Sequence, residues 1–269
     1  MKFSVLMSVY QGDCSAHLDI AIGSIWTSQT LKPTEIILVK DGILNEKLDL
    51  IIEKWHKKLD KVLKIVTLDT NAGLASALNY GLKFCNYDLI ARMDSDDISL
   101  PERFEHQINY LELNRDVDVV GSWIEEFEGL NNPVKIIKYP TVHKDMLFFF
   151  KKRDPLAHPS VMFRKSFFKK SGLYNESLSK DQDTELWFKG FSGGAIFANI
   201  DKPLLRFRKD STTLSRRKDR KRLYKFLKLR FKIIKKLNFG ILSYFYAILY
   251  ISIQIMPVRL TNFIYKYFR

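Results

Sequence analysis

Two hydrophobic periodicities alternate through the first hundred residues, and few architectures accommodate that alternation. Residues 3–10 (FSVLMSVY), 35–42 (EIILVKDG), 62–71 (VLKIVTLDTN) and 87–97 (YDLIARMDSDD) are apolar runs of strand length. Between them, Leu18, Ala21, Ile22, Ile25 and Trp26 recur at helical spacing, as do Leu48, Ile51, Ile52 and Trp55, and then Leu74, Leu78, Leu82 and Cys85. Strand and helix in strict turn predict an α/β fold with a mainly parallel sheet and helices on both faces. The hydrophobic fraction, 46% of 269 residues, is enough for a sizeable core.

Such sheets bind ligands outside the carboxyl ends of their strands. Polar residues gather at those ends here: Ser8 and Tyr10 after the first strand, Asp41 after the second, Asn71 after the third, Asp94 and Asp96 after the fourth. Strand-to-helix turns are polar in any case, which accounts for Asp41-Gly42 by itself. Four strand ends carrying such residues on one edge point to a site. The fourth end is unusual because Asp94, Asp96 and Asp97 repel one another unless positive charge stands among them. An Asp-x-Asp pair can hold Mg²⁺ or Mn²⁺ through one or two oxygens and leave the remaining positions to water and a diphosphate. The stretch SLPERFEHQINYLELN that follows predicts a helix with Ser99 as its N-cap, Pro101 in its first turn and Phe104, Ile108 and Leu111 buried.

Four stretches together, SVLMSVYQGD, VKDG, NAGLASALNYGL and ARMDSDDISLPERFEHQ, resemble the blocks of family 2 glycosyltransferases with the GT-A fold, a Rossmann-like architecture. The likeness covers about residues 1–210 and is strongest to bacterial enzymes that build O-antigen, capsule or exopolysaccharide units. It implies a nucleotide-sugar donor, usually a UDP-sugar, a divalent metal at the Asp-x-Asp, and inversion at the anomeric carbon. Carried over position by position, Ser8 and Asp41 would lie near the uracil, with Tyr10 beside them. Asn71, Gly73 and Asn79 would line the nucleotide pocket. Asp94 would approach ribose and metal, and Asp96 metal and diphosphate. Lys40 departs from the family pattern, which often carries an acid there.

Direct displacement with inversion needs a base on the face opposite the leaving diphosphate. LSKDQDTELWFKG (178–190) supplies the candidate. The family block reads Glu-Asp before an apolar helix containing Trp; here Gln182-Asp183 precedes Leu186 and Trp187, so the resemblance assigns the base to Asp183. Asp181 competes with it, and a capping box of Ser179 with Gln182 accounts for the same acids without chemistry. Gln182 and Trp187 are candidate acceptor contacts, as is His158 within DPLAHPSVMFRKS, although a His before Pro is often a turn residue. Residues 118–123 (DVVGSW) read as a core strand.

Charge divides the chain near residue 205. Residues 1–200 carry 25 Lys and Arg against 27 Asp and Glu, whereas residues 201–269 carry 19 against three Asp. The expected organisation is a catalytic domain over 1–210, with a nucleotide-sugar half (1–100) and an acceptor half (101–210), followed by a helical tail over 211–269. From Arg216 to Lys236 the tail is basic, with Leu223, Phe226, Leu227, Phe231, Ile234 and Leu237 on one helical stripe. That pattern suits an anionic membrane surface, or a solvated face packed on the domain. Residues 239–256 carry no charge and fall near the ~17-residue lower limit for a span, so they are predicted to lie in one leaflet. Such a tail suits an enzyme with a lipid-linked saccharide acceptor at the cytoplasmic face of the bacterial inner membrane. With Cys14 and Cys85 far apart and no cleavable signal pattern, a reducing compartment is expected. A nucleic-acid partner is not expected, because the uncharged run after residue 238 has no use on a phosphate-binding surface. A nucleotidyltransferase is the other alternative, but SVYQGDCSAH offers one Gly and no cation for a triphosphate loop.

Overall fold

The computed structural model describes residues 1–128, 135–209 and 220–256. Strands β1 (Phe3–Val9), β2 (Glu35–Asp41), β3 (Leu63–Leu68) and β4 (Leu89–Met93) alternate with helices α1 (Ser15–Trp26), α2 (Glu46–Leu59) and α3 (Leu74–Leu82). The four strands pair in parallel in the order β3-β2-β1-β4, so their carboxyl ends share one edge. The predicted stripes are the buried ones: Leu18, Ala21, Ile22 and Ile25 of α1 and Leu48, Ile52 and Trp55 of α2 lie against the sheet. Each fully buried Leu or Ile contributes about 1.5–3 kcal/mol. α3 packs on the opposite face, which gives the two-sided cover that a parallel sheet requires.

The chain then extends the same sheet. The short β5 (Ile98–Ser99) leads to α4 (Arg103–Leu113), β6 (Val119–Phe127), β7 (Lys135–Ile137), α5 (His143–Phe150), β8 (Met162–Arg164), α6 (Lys165–Ser171), α7 (Gln182–Ser192) and β9 (Phe197–Arg208). β8 joins β4 antiparallel, β6 joins β8, and β9 runs parallel to β6. The sheet is therefore parallel on the β1–β4 side and mixed beyond it. The 118–123 stretch is the core strand expected of it. α4 begins later than the sequence predicts, at Arg103 rather than after Ser99. Ser99 is instead in β5, paired with Leu205, and its amide donates to Ser24 Oγ at 3.0 Å.

The tail forms a basic helix (Arg220–Lys236) and an apolar helix (Leu242–Ile255), both seated on the domain. No helix among the described residues is long and apolar enough to cross a membrane. Of the two readings of the basic helix's apolar stripe, packing on the domain is the one seen: Leu223 and Ile234 are buried, and Leu227, Phe231 and Leu237 pack on the second core cluster with Ile233. The domain already covers that face. What remains open is a lysine stripe, Lys225, Lys228, Lys232 and Lys235, and an apolar face on the second helix with Leu242 71%, Phe245 62% and Ile248 50% exposed.

Candidate active site

The strand-end acids are fixed from three sides. Arg92, on β4 and 2% exposed, pairs with Asp94. Burial opposes the charge of Arg92, but Asp94 outweighs it and keeps the guanidinium protonated. Arg103 Nη2 on α4 donates to Arg92 O at 2.7 Å, and Gln107 Nε2 donates to Ser160 O at 2.7 Å, clamping β4 against the 158–160 turn. From β1, Asp13 Oδ2 accepts Ser95 Oγ at 2.8 Å and Tyr10 N at 3.1 Å. From β9, Arg208 N donates to Asp97 Oδ1 and Arg208 Nε to Asp96 O, both at 2.8 Å.

One carboxylate oxygen from each of Asp94, Asp96 and Asp97 lies within 4.8 Å of the others. Burial, then the charges of Asp94 and Asp13, push Asp96 up to about 6. Burial, then the charges of Asp94 and Asp96, raise Asp97 well above the carboxylate range, and its Oδ2 is buried without a partner. Three oxygens in mutual repulsion, one of them orphaned, are a donor set that suits a hard divalent cation. Asp97 and Asp13 were not among the sequence candidates. Asp97 adjoins the motif, whereas Asp13 had no signal beyond lying in the first block.

The other strand-end residues divide into open and occupied. Ser8 is half-buried, and Tyr10 and Asn71 are exposed at the edge. Asp41 is 4% exposed, and its two oxygens accept Ala72 N at 2.7 Å and Gly73 N at 3.0 Å, so it ties the β2 end to the loop before α3. Gly73 adopts φ +87°, which turns that amide toward Asp41. Gly42 (φ +84°) leaves room for Asn71, whose N would lie 2.6 Å from an added Cβ. Asn79 is a correction. It is buried on α3 and its amide bonds Tyr174 N, Tyr174 O and Glu176 Oε1, so it fastens α3 to the loop after α6 and has no group left for a ligand.

Across the cavity stands α7. The capping box does not form: the N-cap is Asp181, at φ 61°, with no side-chain cap bond. Asp183 lies in the first turn, and its Oδ1 accepts Thr184 N at 2.9 Å. Burial, reinforced by Asp181, raises Asp183. Thr184 Oγ1 donates to Asp154 Oδ2 at 2.6 Å, and burial plus the charge of Asp183 push Asp154 up to about 7. Thr184 thus bridges two carboxyls whose affinity for protons is raised, an arrangement found where a carboxylate acts as a base. Asp154 lies in the quoted DPLAHP block, yet its chemistry was not legible there.

His158 lies in the same wall. Its Nε2 is 2.8 Å from Tyr174 Oη, and burial, with Arg92 adding, lowers its pKa well below the ordinary value, so the ring is neutral. Gln182 is buried and its Oε1 has no protein partner. Trp187 is a correction: it is 0% exposed and packs with His158, Phe163, Phe167 and Phe197, one helical turn below the cavity. Its place in the apolar stripe of α7 makes it core and keeps it away from any acceptor.

A single cavity of about 780 Å³ joins these parts. Arg92 and Asp94 from the sheet edge, Asp154, His158, Gln182 and Asp183, and Arg222 and Arg230 of the basic helix all line it, whereas Ser8, Tyr10, Asp41, Asn71, Asp96 and Asp97 are not among its lining residues. The volume suits a ligand larger than one monosaccharide. Arg222 Nη2 donates to Asp181 Oδ1 at 2.9 Å, so the tail reaches the N-terminus of α7. No sequence signal distinguished Arg222 or Arg230 from the surrounding basic run.

The Glycosyl transferase family 2 model matches residues 4–172. The chain is 34% identical over 267 residues to the UDP-Gal:alpha-D-GlcNAc-diphosphoundecaprenol beta-1,3-galactosyltransferase of Escherichia coli, covering 98% of this chain and 95% of that one. It is 34% identical over 265 residues to the amylovoran biosynthesis glycosyltransferase AmsE of Erwinia amylovora, covering 98% of each. Among solved structures, S. aureus TarS 1-349 in complex with UDP-GlcNAc superposes with a TM-score of 0.66 at 18% identity, over 99% of this chain and 73% of that chain, a likeness of fold. The chain belongs to glycosyl transferase family 2, and the GT-A architecture expected from its sequence is the one it adopts.

Proposed function

We propose that this family 2 glycosyltransferase moves a sugar from a nucleotide-sugar, a UDP-sugar in the first instance, onto a lipid-linked saccharide, with inversion and with Asp183 as the base. One observation carries the reading: Asp94 and Asp183 line the same cavity. The names of the relatives, one a galactosyltransferase for a diphosphoundecaprenol-linked sugar, support the substrate class.

Asp94 and Asp96, with Asp97 beside them, would hold Mn²⁺ or Mg²⁺. The bound ion supplies positive charge against the leaving diphosphate. The chain's own residues do the rest. Ser8, Tyr10 and Asn71 border the nucleotide. Arg92 neutralises part of the acid cluster through its ion pair with Asp94. Asp183 removes the proton from the acceptor hydroxyl as its oxygen bonds to the anomeric carbon; the bond from that carbon to the diphosphate oxygen breaks, and the nucleoside diphosphate leaves with the electron pair. Burial that raises Asp183 makes it a better proton acceptor than an exposed aspartate. Gln182 and neutral His158 flank the acceptor.

The lysine stripe of the basic helix and the open apolar face of its neighbour favour peripheral attachment to an anionic bilayer, at about 1 kcal/mol per lysine near the surface. A panel of UDP-, GDP- and dTDP-sugars, each offered with a lipid-linked saccharide with and without EDTA, tests the reading. Metal-dependent transfer from a UDP-sugar is expected. Transfer that EDTA leaves untouched, or no transfer from any donor, would refute it.

A further inference from the structure

The cavity that joins Asp94 to Asp183 does not close on the catalytic sheet. Its outer wall is built by the tail: Arg222, Phe226 and Arg230 from the basic helix, Leu249, Tyr250 and Ile253 from the apolar one. Arg230 is 2% exposed, and its Nη2 donates to Phe150 O at 2.6 Å, yet its Nη1 has no hydrogen-bond partner. An unmet buried N–H costs about 1–3 kcal/mol, more when the group is charged. The neighbouring acid Asp154 acts on Arg230 by charge but accepts its hydrogen bond from Thr184, so it leaves Nη1 without a hydrogen-bond partner. Lys152 lines the same wall, is exposed, and rests with Nζ 4.7 Å from the centre of the Tyr246 ring. Side chains of the apolar helix continue from this wall toward the open face at Phe245 and Ile248.

We propose that the tail-side wall is a subsite for the phosphoryl group of the acceptor lipid, with Arg230 Nη1 and Lys152 Nζ as donors and the apolar helix as the bed for the first carbons of the lipid chain. The inference rests on the proposed transfer to a lipid-linked saccharide and adds where that acceptor is anchored. Charge complementarity selects the occupant. A buried guanidinium beside apolar side chains matches an anion that carries hydrocarbon. Free phosphate would gain nothing from Phe226, Leu249 and Ile253, and a neutral glycolipid nothing from Arg230. On this account residues 222–253 are part of the active site as well as an attachment.

The test uses two acceptors with the same saccharide and the same short alkyl chain, one joined through a diphosphate and the other through a plain glycosidic oxygen. The full-length protein, Lys152→Ala and Arg230→Lys are compared by the ratio of kcat/KM for the two acceptors. Donor hydrolysis is followed in parallel. Lys152 is exposed, so its truncation remains informative if Arg230→Lys fails to fold. The native ratio is expected to favour the diphosphate acceptor by about a hundredfold, and each substitution to reduce it about tenfold, one charge-assisted hydrogen bond each. Equal kcat/KM for both acceptors in the native protein, or substitutions that lower both acceptors alike, would overturn the subsite while leaving the proposed function standing. Inhibition by inorganic diphosphate or by anionic phospholipid vesicles that is competitive with the acceptor and not with the donor, and is relieved by Lys152→Ala, would also overturn it, assigning the wall to free phosphate or to a membrane headgroup. If no sugar reaches either acceptor, the proposed function fails and takes the subsite with it.

Discussion

The acid cluster beside the cavity is assembled from near neighbours in sequence: Asp94, which lines the cavity, with Asp96 and Asp97 on the same loop at the end of β4. The acceptor end comes from distant segments: Thr184 meets Asp154 across 30 positions, and Arg222 meets Asp181 across 41. On the proposed reading the acid cluster marks the donor end, where it would hold a cation; Arg92, Ser95 and the Arg208 backbone fix the loop that carries it. The acceptor end sets the raised carboxyls of Asp154 and Asp183 beside the Arg222–Asp181 ion pair that the tail supplies. On the proposed reading one end receives a cation and the other moves a proton, so the two can be perturbed separately.

The largest separation is expected from Asp183→Asn, which keeps the helix and the cavity but loses the proton acceptor; transfer should fall by about 10²–10⁴-fold while donor binding holds, read by single-turnover assay beside nucleotide titration. Trp187→Ala should act on the fold instead, costing about 3–5 kcal/mol in a denaturant titration, with no change in acceptor preference among molecules that remain folded. Asp96→Ala is the complement of the Asp183 change: metal-dependent affinity for the nucleotide should drop at least about tenfold, measured by calorimetry with and without Mn²⁺. The smallest effect concerns Asp154. Its carboxyl sits at about 7 in the fold and near the ordinary aspartate value when unfolded, so the native state holds the extra proton. The stability this brings is full below the unfolded value and is lost as pH rises through about 7. The native protein should therefore melt lower at pH 8 than at pH 5 by this contribution, and Asp154→Asn should remove it. Thermal melts in which the variant keeps the full native slope would break the assigned linkage.

The same contrast explains what was legible in the sequence. Periodicity found β1 to β4 and α1 to α3 because each buries a face of its own, and the strand-end acids follow from where those strands stop. Asn79 and Trp187 were misassigned because a motif position does not reveal which way a buried side chain turns; both are spent on packing or backbone bonds. Asp154 and Arg230 stayed hidden because their chemistry exists only once β8, α7 and the tail meet. The tail's apolar stripe was read correctly as helical, but its partner was the domain itself, a choice that amphipathicity alone cannot make.

The account depends most on the opposition of donor and base across one cavity. A crystal structure of Asp183→Asn with Mn²⁺ and an intact UDP-sugar tests it directly. The account predicts the diphosphate at Asp94 and Asp96, with the anomeric carbon presenting its far face to residue 183. A nucleotide seated away from those aspartates, or residue 183 on the same side of the sugar as the diphosphate, would contradict it.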